Sequence, residues 1–110
     1  ATHQCNEDIA LMRVIPGMVV INPSDDIEAK AARKENQEHE GPVYMRFGRL
    51  AVPIINDRPD YKFEIGKGVT LREGKDVAII ATGLCVSARP AAMPIMLHSG
   101  SRRKACRRRH

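Results

Sequence analysis

The stretch from Glu7 to Asp26, EDIALMRVIPGMVVINPSDD, constrains the fold more than any other part of this chain. Ile9, Leu11, Met12 and Ile15 fall close to helical spacing, and Pro16-Gly17 stops that helix. Met18 to Ile21 is a short unbroken apolar run between turn residues, the pattern of a strand covered on both faces. Asn22-Pro23-Ser24 closes it. Ser24 is placed to cap the next helix, and Asp25, Asp26 and Glu28 sit where the helix dipole favours negative charge. Helix, strand and helix within about twenty residues predict an open α/β sheet.

The prediction extends downstream. Residues 25–38 read as a polar surface helix with Ile27, Ala31 and Ala32 on its inner face, ended by Gly41-Pro42. Val43 to Arg46 reads as a strand. With residues 18–22 it makes a βαβ crossover, so the two strands should be parallel neighbours. Residues 50–62 read as a linker lying on a surface. Phe63, Ile65, Val69 and Leu71 alternate with polar or Gly positions, as in a strand or hairpin arm. Residues 77–82 read as a second buried strand, ended by Gly83. The fold class is therefore α/β: a partial open parallel sheet with a crossover helix, then the first strands of a second α/β domain.

Charge and cysteines exclude several classes. Residues 1–85 hold eleven Lys or Arg against thirteen Asp or Glu, while residues 86–110 hold seven basic residues and no acid. The basic character sits in the tail, where Arg102-Arg103-Lys104 and Arg107-Arg108-Arg109 could bind nucleic acid through nonspecific electrostatics. No aromatic residue is interleaved there to stack on bases. Cys5, Cys85 and Cys106 are odd in number and lack metal-ligand spacing, so free thiols in a reducing cytoplasm are expected. No run of eighteen apolar residues suggests a membrane span.

Three residues stand out as chemistry-bearing. His3 can donate hydrogen bonds and shuttle a proton near neutral pH. Arg46 and Arg49 flank Phe47-Gly48 at the C-terminal end of a predicted strand, the edge where open α/β folds collect ligands. A guanidinium there suits bidentate phosphate binding. Arg49 is the better candidate, and Arg46 reads as structural, paired with a carboxylate. Asp25, Asp26 and Glu28 are explained by helix capping and not by a metal.

The motifs Thr2-His3-Gln4, Glu7-Asp8-Ile9, Leu11 to Met18, Pro23-Ser24-Asp25 and Gly41 to Arg49 occur in the order seen in the transketolase family of thiamine diphosphate enzymes, which this chain resembles over residues 1–85. The resemblance implies that residues 1–55 are the C-terminal portion of a pyrimidine-binding domain. Residues 56–85 would be a linker and the start of the C-terminal domain, and residues 86–110 a divergent, disordered basic tail. It implies a parent enzyme, a cytoplasmic dimer of the pentose phosphate pathway, that moves a two-carbon ketol unit between sugar phosphates with thiamine diphosphate and Mg²⁺. His3 and Arg49 would face the substrate, with His3 catalytic and Arg46 beside them. The family's Glu and aromatic residue for the aminopyrimidine, and its Gly-Asp-Gly…Asn motif for the diphosphate and metal, have no match here. This polypeptide alone is therefore expected to be inactive and to bind no cofactor, and to need an N-terminal transketolase half or a second subunit. Deoxyxylulose phosphate synthase is the near alternative. A noncatalytic binding module with a basic tail is an alternative from another class. The resemblance stops after Cys85, where Pro90 and Pro94 break the expected helix. A change of reading frame or a wrongly called end at that point is the expected cause, with a genuine divergent basic tail as the alternative, to be settled from the encoding DNA.

Overall fold

The computed structural model describes residues 4–87 and the backbone of 95–97. The elements are α1 (Asp8–Val14), β1 (Val19–Ile21), α2 (Asp26–Glu38), β2 (Val43–Met45), β3 (Ile79–Ala81), α3 (Leu84–Ser87) and β4 (Ile95–Leu97). β1 and β2 pair in parallel with Val20 opposite Tyr44, as the βαβ pattern predicts. β3 and β4 form a second parallel pair with Ile80 opposite Met96. Val86, in α3, and β4 fall within the stretch 86–110 read as a disordered tail; the other residues of that stretch, except Ser87, lie outside the described residues.

Each sheet has its own core. Val19, Ile21, Ala32 and Phe63 form the first, with Ala31, Val43, Met45, Tyr61 and Ile65 packed around them. Ala81 and Val86 form the second, with Ile55, Val69, Leu71 and Ile79. The alternation of Phe63, Ile65, Val69 and Leu71 does not make the expected strand or hairpin arm. The chain turns at Ile65-Gly66, and only Thr70 forms an isolated bridge. The physical reason is that these side chains serve two cores, Phe63 and Ile65 the first, Val69 and Leu71 the second.

Two further expectations need correction. Ser24 does not cap α2. The cap is Asp25, whose Oδ1 accepts from the Glu28 amide at 2.8 Å. Ser24 instead donates both its amide, at 2.8 Å, and its hydroxyl to Glu28 Oε2, so Glu28 is buried on the face that Ala32 also uses. β3 is also not covered on both faces, since Ile80 remains 67% exposed. The apolar run there packs Ile79 and Ala81 inward, and no described element covers the other side.

The linker is fastened to the first unit. Asp25 Oδ2 accepts from the amides of Ile55 and Asn56, each at 2.8 Å, and the buried Asn56 side chain donates to Ser24 Oγ at 3.1 Å. At the C-terminal end of β1 the units touch directly, where the Gly83 amide donates to the Asn22 carbonyl at 3.0 Å. Gly83 has φ +56°, and a Cβ there would lie 2.5–2.7 Å from the Asn22 side chain. Gly83→Ala therefore meets both a left-handed backbone penalty of about 1–2 kcal/mol and a clash. We expect it to lower the urea midpoint by more than the backbone penalty alone, while Gly83→Ala combined with Asn22→Ala should recover part of the loss.

Candidate anion-binding cleft

The C-terminal edge of β2 is where the sequence places its candidate residues. After Met45 the chain leaves the sheet through Arg46, Phe47, Gly48 and Arg49. This loop, with Gln4, Cys5 and Asp8 from the N-terminal side and Leu84 from the second unit, lines an open cleft of about 560 Å³. Arg49 is exposed in it, and among the described residues it has no ion-pair or hydrogen-bond partner. His3 lies outside the described residues.

Arg46 is held. Its Nε donates to Asp8 Oδ2 at 3.2 Å and its Nη2 to the Cys5 carbonyl at 3.3 Å. The Tyr44 hydroxyl donates to the same Asp8 oxygen at 2.8 Å. Arg46 thus sits beside a carboxylate. The guanidinium ties the end of β2 to the N-terminal loop, so Arg49 and the residues around Cys5 share one cleft. Sequence reading missed Asp8 and Tyr44. Asp8 is the one buried residue of α1, while Leu11 and Ile15 of the apolar set are 55% and 41% exposed. The available signal was the acid itself, since it interrupts the apolar pattern at the start of the helix.

Electrostatics follow from this geometry. The hydrogen bond from Tyr44, and to a lesser degree the Arg46 guanidinium, hold the Asp8 carboxyl below its ordinary value against the cost of burial. The same hydrogen bond raises the Tyr44 hydroxyl, helped by burial. Tyr44→Phe should therefore move the Asp8 titration upward, as read from its side-chain carboxyl resonance. A folded state with a depressed Asp8 pKa gains stability above the unfolded-state value near 3.9 and loses it as pH falls through the folded value. The variant should accordingly show a shallower loss of stability in acid.

Among the described residues no group of three or more His, Cys, Asp or Glu could hold a metal ion. The cleft offers the Arg49 guanidinium and the side-chain amides of Gln4 and Asn6, while its one carboxylate is already bonded to Tyr44 and Arg46. That donor set suits an anion and does not suit a Mg²⁺–diphosphate. No helix of the described residues is long and apolar enough to cross a membrane.

Residues 1–54 match the family described as the transketolase pyrimidine binding domain. The chain belongs to the transketolase family. It is 44% identical over 86 residues to a 6-deoxy-6-sulfo-D-fructose transketolase subunit of Clostridium sp., covering 78% of this chain and 26% of that protein. It is 37% identical over 102 residues to a 1-deoxy-D-xylulose-5-phosphate synthase of Anaeromyxobacter sp., covering 90% of this chain and 16% of that one. Among solved structures it is similar to a split-gene transketolase described as an inactive β4 tetramer, with a TM-score of 0.73 and 42% identity over 86% of this chain and 35% of that one. This transketolase-family chain thus spans about a quarter or less of the length of these curated relatives.

Proposed function

We propose that this chain is part of a thiamine diphosphate-dependent enzyme that transfers a two-carbon ketol unit between sugar phosphates. The observation that carries the reading is the 42% identity and TM-score of 0.73 to a split-gene transketolase over most of the chain. Arg49 binds the substrate phosphate from the edge of β2. Arg46, fixed by Asp8, orients the loop that Arg49 occupies. His3, which lies outside the described residues, is the residue that moves the proton in this reading.

In this reading an N-terminal transketolase half or another subunit holds thiamine diphosphate and Mg²⁺, a division supported by the chain's match to a split-gene transketolase. Thiamine diphosphate, when bound there, supplies the carbon that carries the ketol unit. The assembly is a dimer or higher oligomer in a reducing cytoplasm, a placement supported by the free thiols of Cys5 and Cys85.

The test is reconstitution. The 110-residue chain alone should show no ketol transfer and no saturable micromolar binding of thiamine diphosphate with Mg²⁺ by calorimetry. Mixed with the complementary half, it should restore transfer to a phosphorylated aldose acceptor. Formation of a deoxyketose phosphate from pyruvate instead would favour the synthase reading, which the identity of 37% to such a synthase keeps in play. Absence of both reactions in a folded complex would contradict the proposal.

A further inference from the structure

The Arg49 loop is bounded on its second side by a residue from the other unit. Gly48 precedes Arg49, and it is not among the glycines with positive φ. Its backbone conformation is therefore open to any residue, and space alone explains the glycine. A Cβ built there would lie 2.9 Å from Leu84 Cγ and 3.0 Å from each Leu84 methyl carbon. Contacts this short force a shift. Leu84 is itself fixed. It begins α3 directly after the Gly83 turn, whose amide is bonded to the Asn22 carbonyl at 3.0 Å. Two residues on, Val86 is 1% exposed in the second core. Leu84 also lines the cleft in which Arg49 is exposed.

We propose that Leu84 is a positioning residue for Arg49: packed against Gly48, it makes the second unit a buttress that sets where the guanidinium meets an anionic ligand. The function of Arg49 as a phosphate ligand is the reading this rests on. On the other side the Asp8–Arg46 tie holds the same loop to the N-terminal segment. The loop is thus clamped between a charged anchor and an apolar stop. The stop is the part that belongs to the second unit, so the second unit contributes to the cleft without a polar group of its own.

The pair can be tested as a pair, in the full chain. Backbone ¹⁵N order parameters at Gly48 and Arg49 should be near 0.85 in the native chain and fall below about 0.6 in Leu84→Ala. Gly48→Ala should shift the Arg49 amide and Nε–H resonances and weaken inorganic phosphate binding about tenfold. The Gly48→Ala/Leu84→Ala double variant should return phosphate binding to within about threefold of native, because the new methyl group occupies the space Leu84 vacates. Order parameters unchanged in Leu84→Ala, or a double variant no better than Gly48→Ala alone, would overturn the buttress. If Arg49→Ala binds inorganic phosphate as well as the native chain, the phosphate reading fails while the order parameters still decide the positioning claim. A variant too unstable to study is replaced by Leu84→Val, which should give an intermediate order parameter.

Discussion

Asp25→Ala should destabilise the chain by roughly 3–5 kcal/mol. One carboxylate does two jobs. Its Oδ1 caps α2 through the Glu28 amide, and its Oδ2 accepts the amides of Ile55 and Asn56 in the linker. Loss of a helix cap costs about 1 kcal/mol. Each buried amide left without a partner costs about 1–3 kcal/mol more. Against a total stability of about 5–15 kcal/mol for a domain, that is a large fraction. Asp25→Asn should fall between, because one oxygen cannot serve both the cap and the linker.

The carboxyl of Asp25 is held below its ordinary value. Burial opposes this as the largest single influence, but the Glu28, Asn56 and Ile55 bonds together outweigh it. A depressed folded-state value means the contribution is present above the unfolded-state value near 3.9 and is lost as pH falls through the folded one. The native chain should therefore lose stability steeply below about pH 4, and Asp25→Ala should lose less over the same window. Urea midpoints at pH 7 and pH 3 measure both statements. A variant within about 0.5 kcal/mol of native at pH 7 would show that the linker is not held by this residue.

The parallel pairing of β1 with β2 was legible because local pattern and topology agree. An apolar run, a capped helix and a second run ended by Arg leave little choice but a crossover. The surface helix was legible for the same reason, with Ala31 and Ala32 inward as expected. The cap was misplaced by one residue because Ser and Asp are both good caps, and only the tertiary demand of the linker decides between them. Asp25 alone can reach Glu28 and the 55–56 amides together, while Ser24 is drawn into the Glu28 carboxylate. The 63–71 segment was misread because alternation reports which residues turn inward and not that they turn toward one core.

The candidate cleft was half legible. Arg46 and Arg49 stood out by charge at a strand end, and the carboxylate partner of Arg46 was expected in kind. That partner is Asp8, some forty residues earlier in the chain, and sequence spacing carries no trace of such a contact. Leu84 is about as far from Gly48 along the chain, and a leucine after a glycine turn has no feature that announces it. At α1 the helical spacing does not report burial, since Leu11 and the helix-ending Ile15 are left exposed.

The largest functional effect is expected at Arg49. An exposed guanidinium at the edge of a parallel strand pair can give a phosphate two charge-assisted hydrogen bonds that an unphosphorylated sugar cannot use. A hydrogen bond to a charged group is worth about 1.5–3 kcal/mol, or roughly 10- to 150-fold in binding. Arg46→Ala should act differently, since its guanidinium is occupied by Asp8 and the Cys5 carbonyl. It should lower stability and affect phosphorylated and unphosphorylated acceptors to a similar degree. The most direct measurement is steady-state kinetics of the reconstituted enzyme carrying Arg49→Ala, with matched phosphorylated and unphosphorylated aldose acceptors. A KM raised at least tenfold for the phosphorylated acceptor, and little changed for the other, is the predicted result. Equal losses for both acceptors would contradict it and return Arg49 to the scaffold.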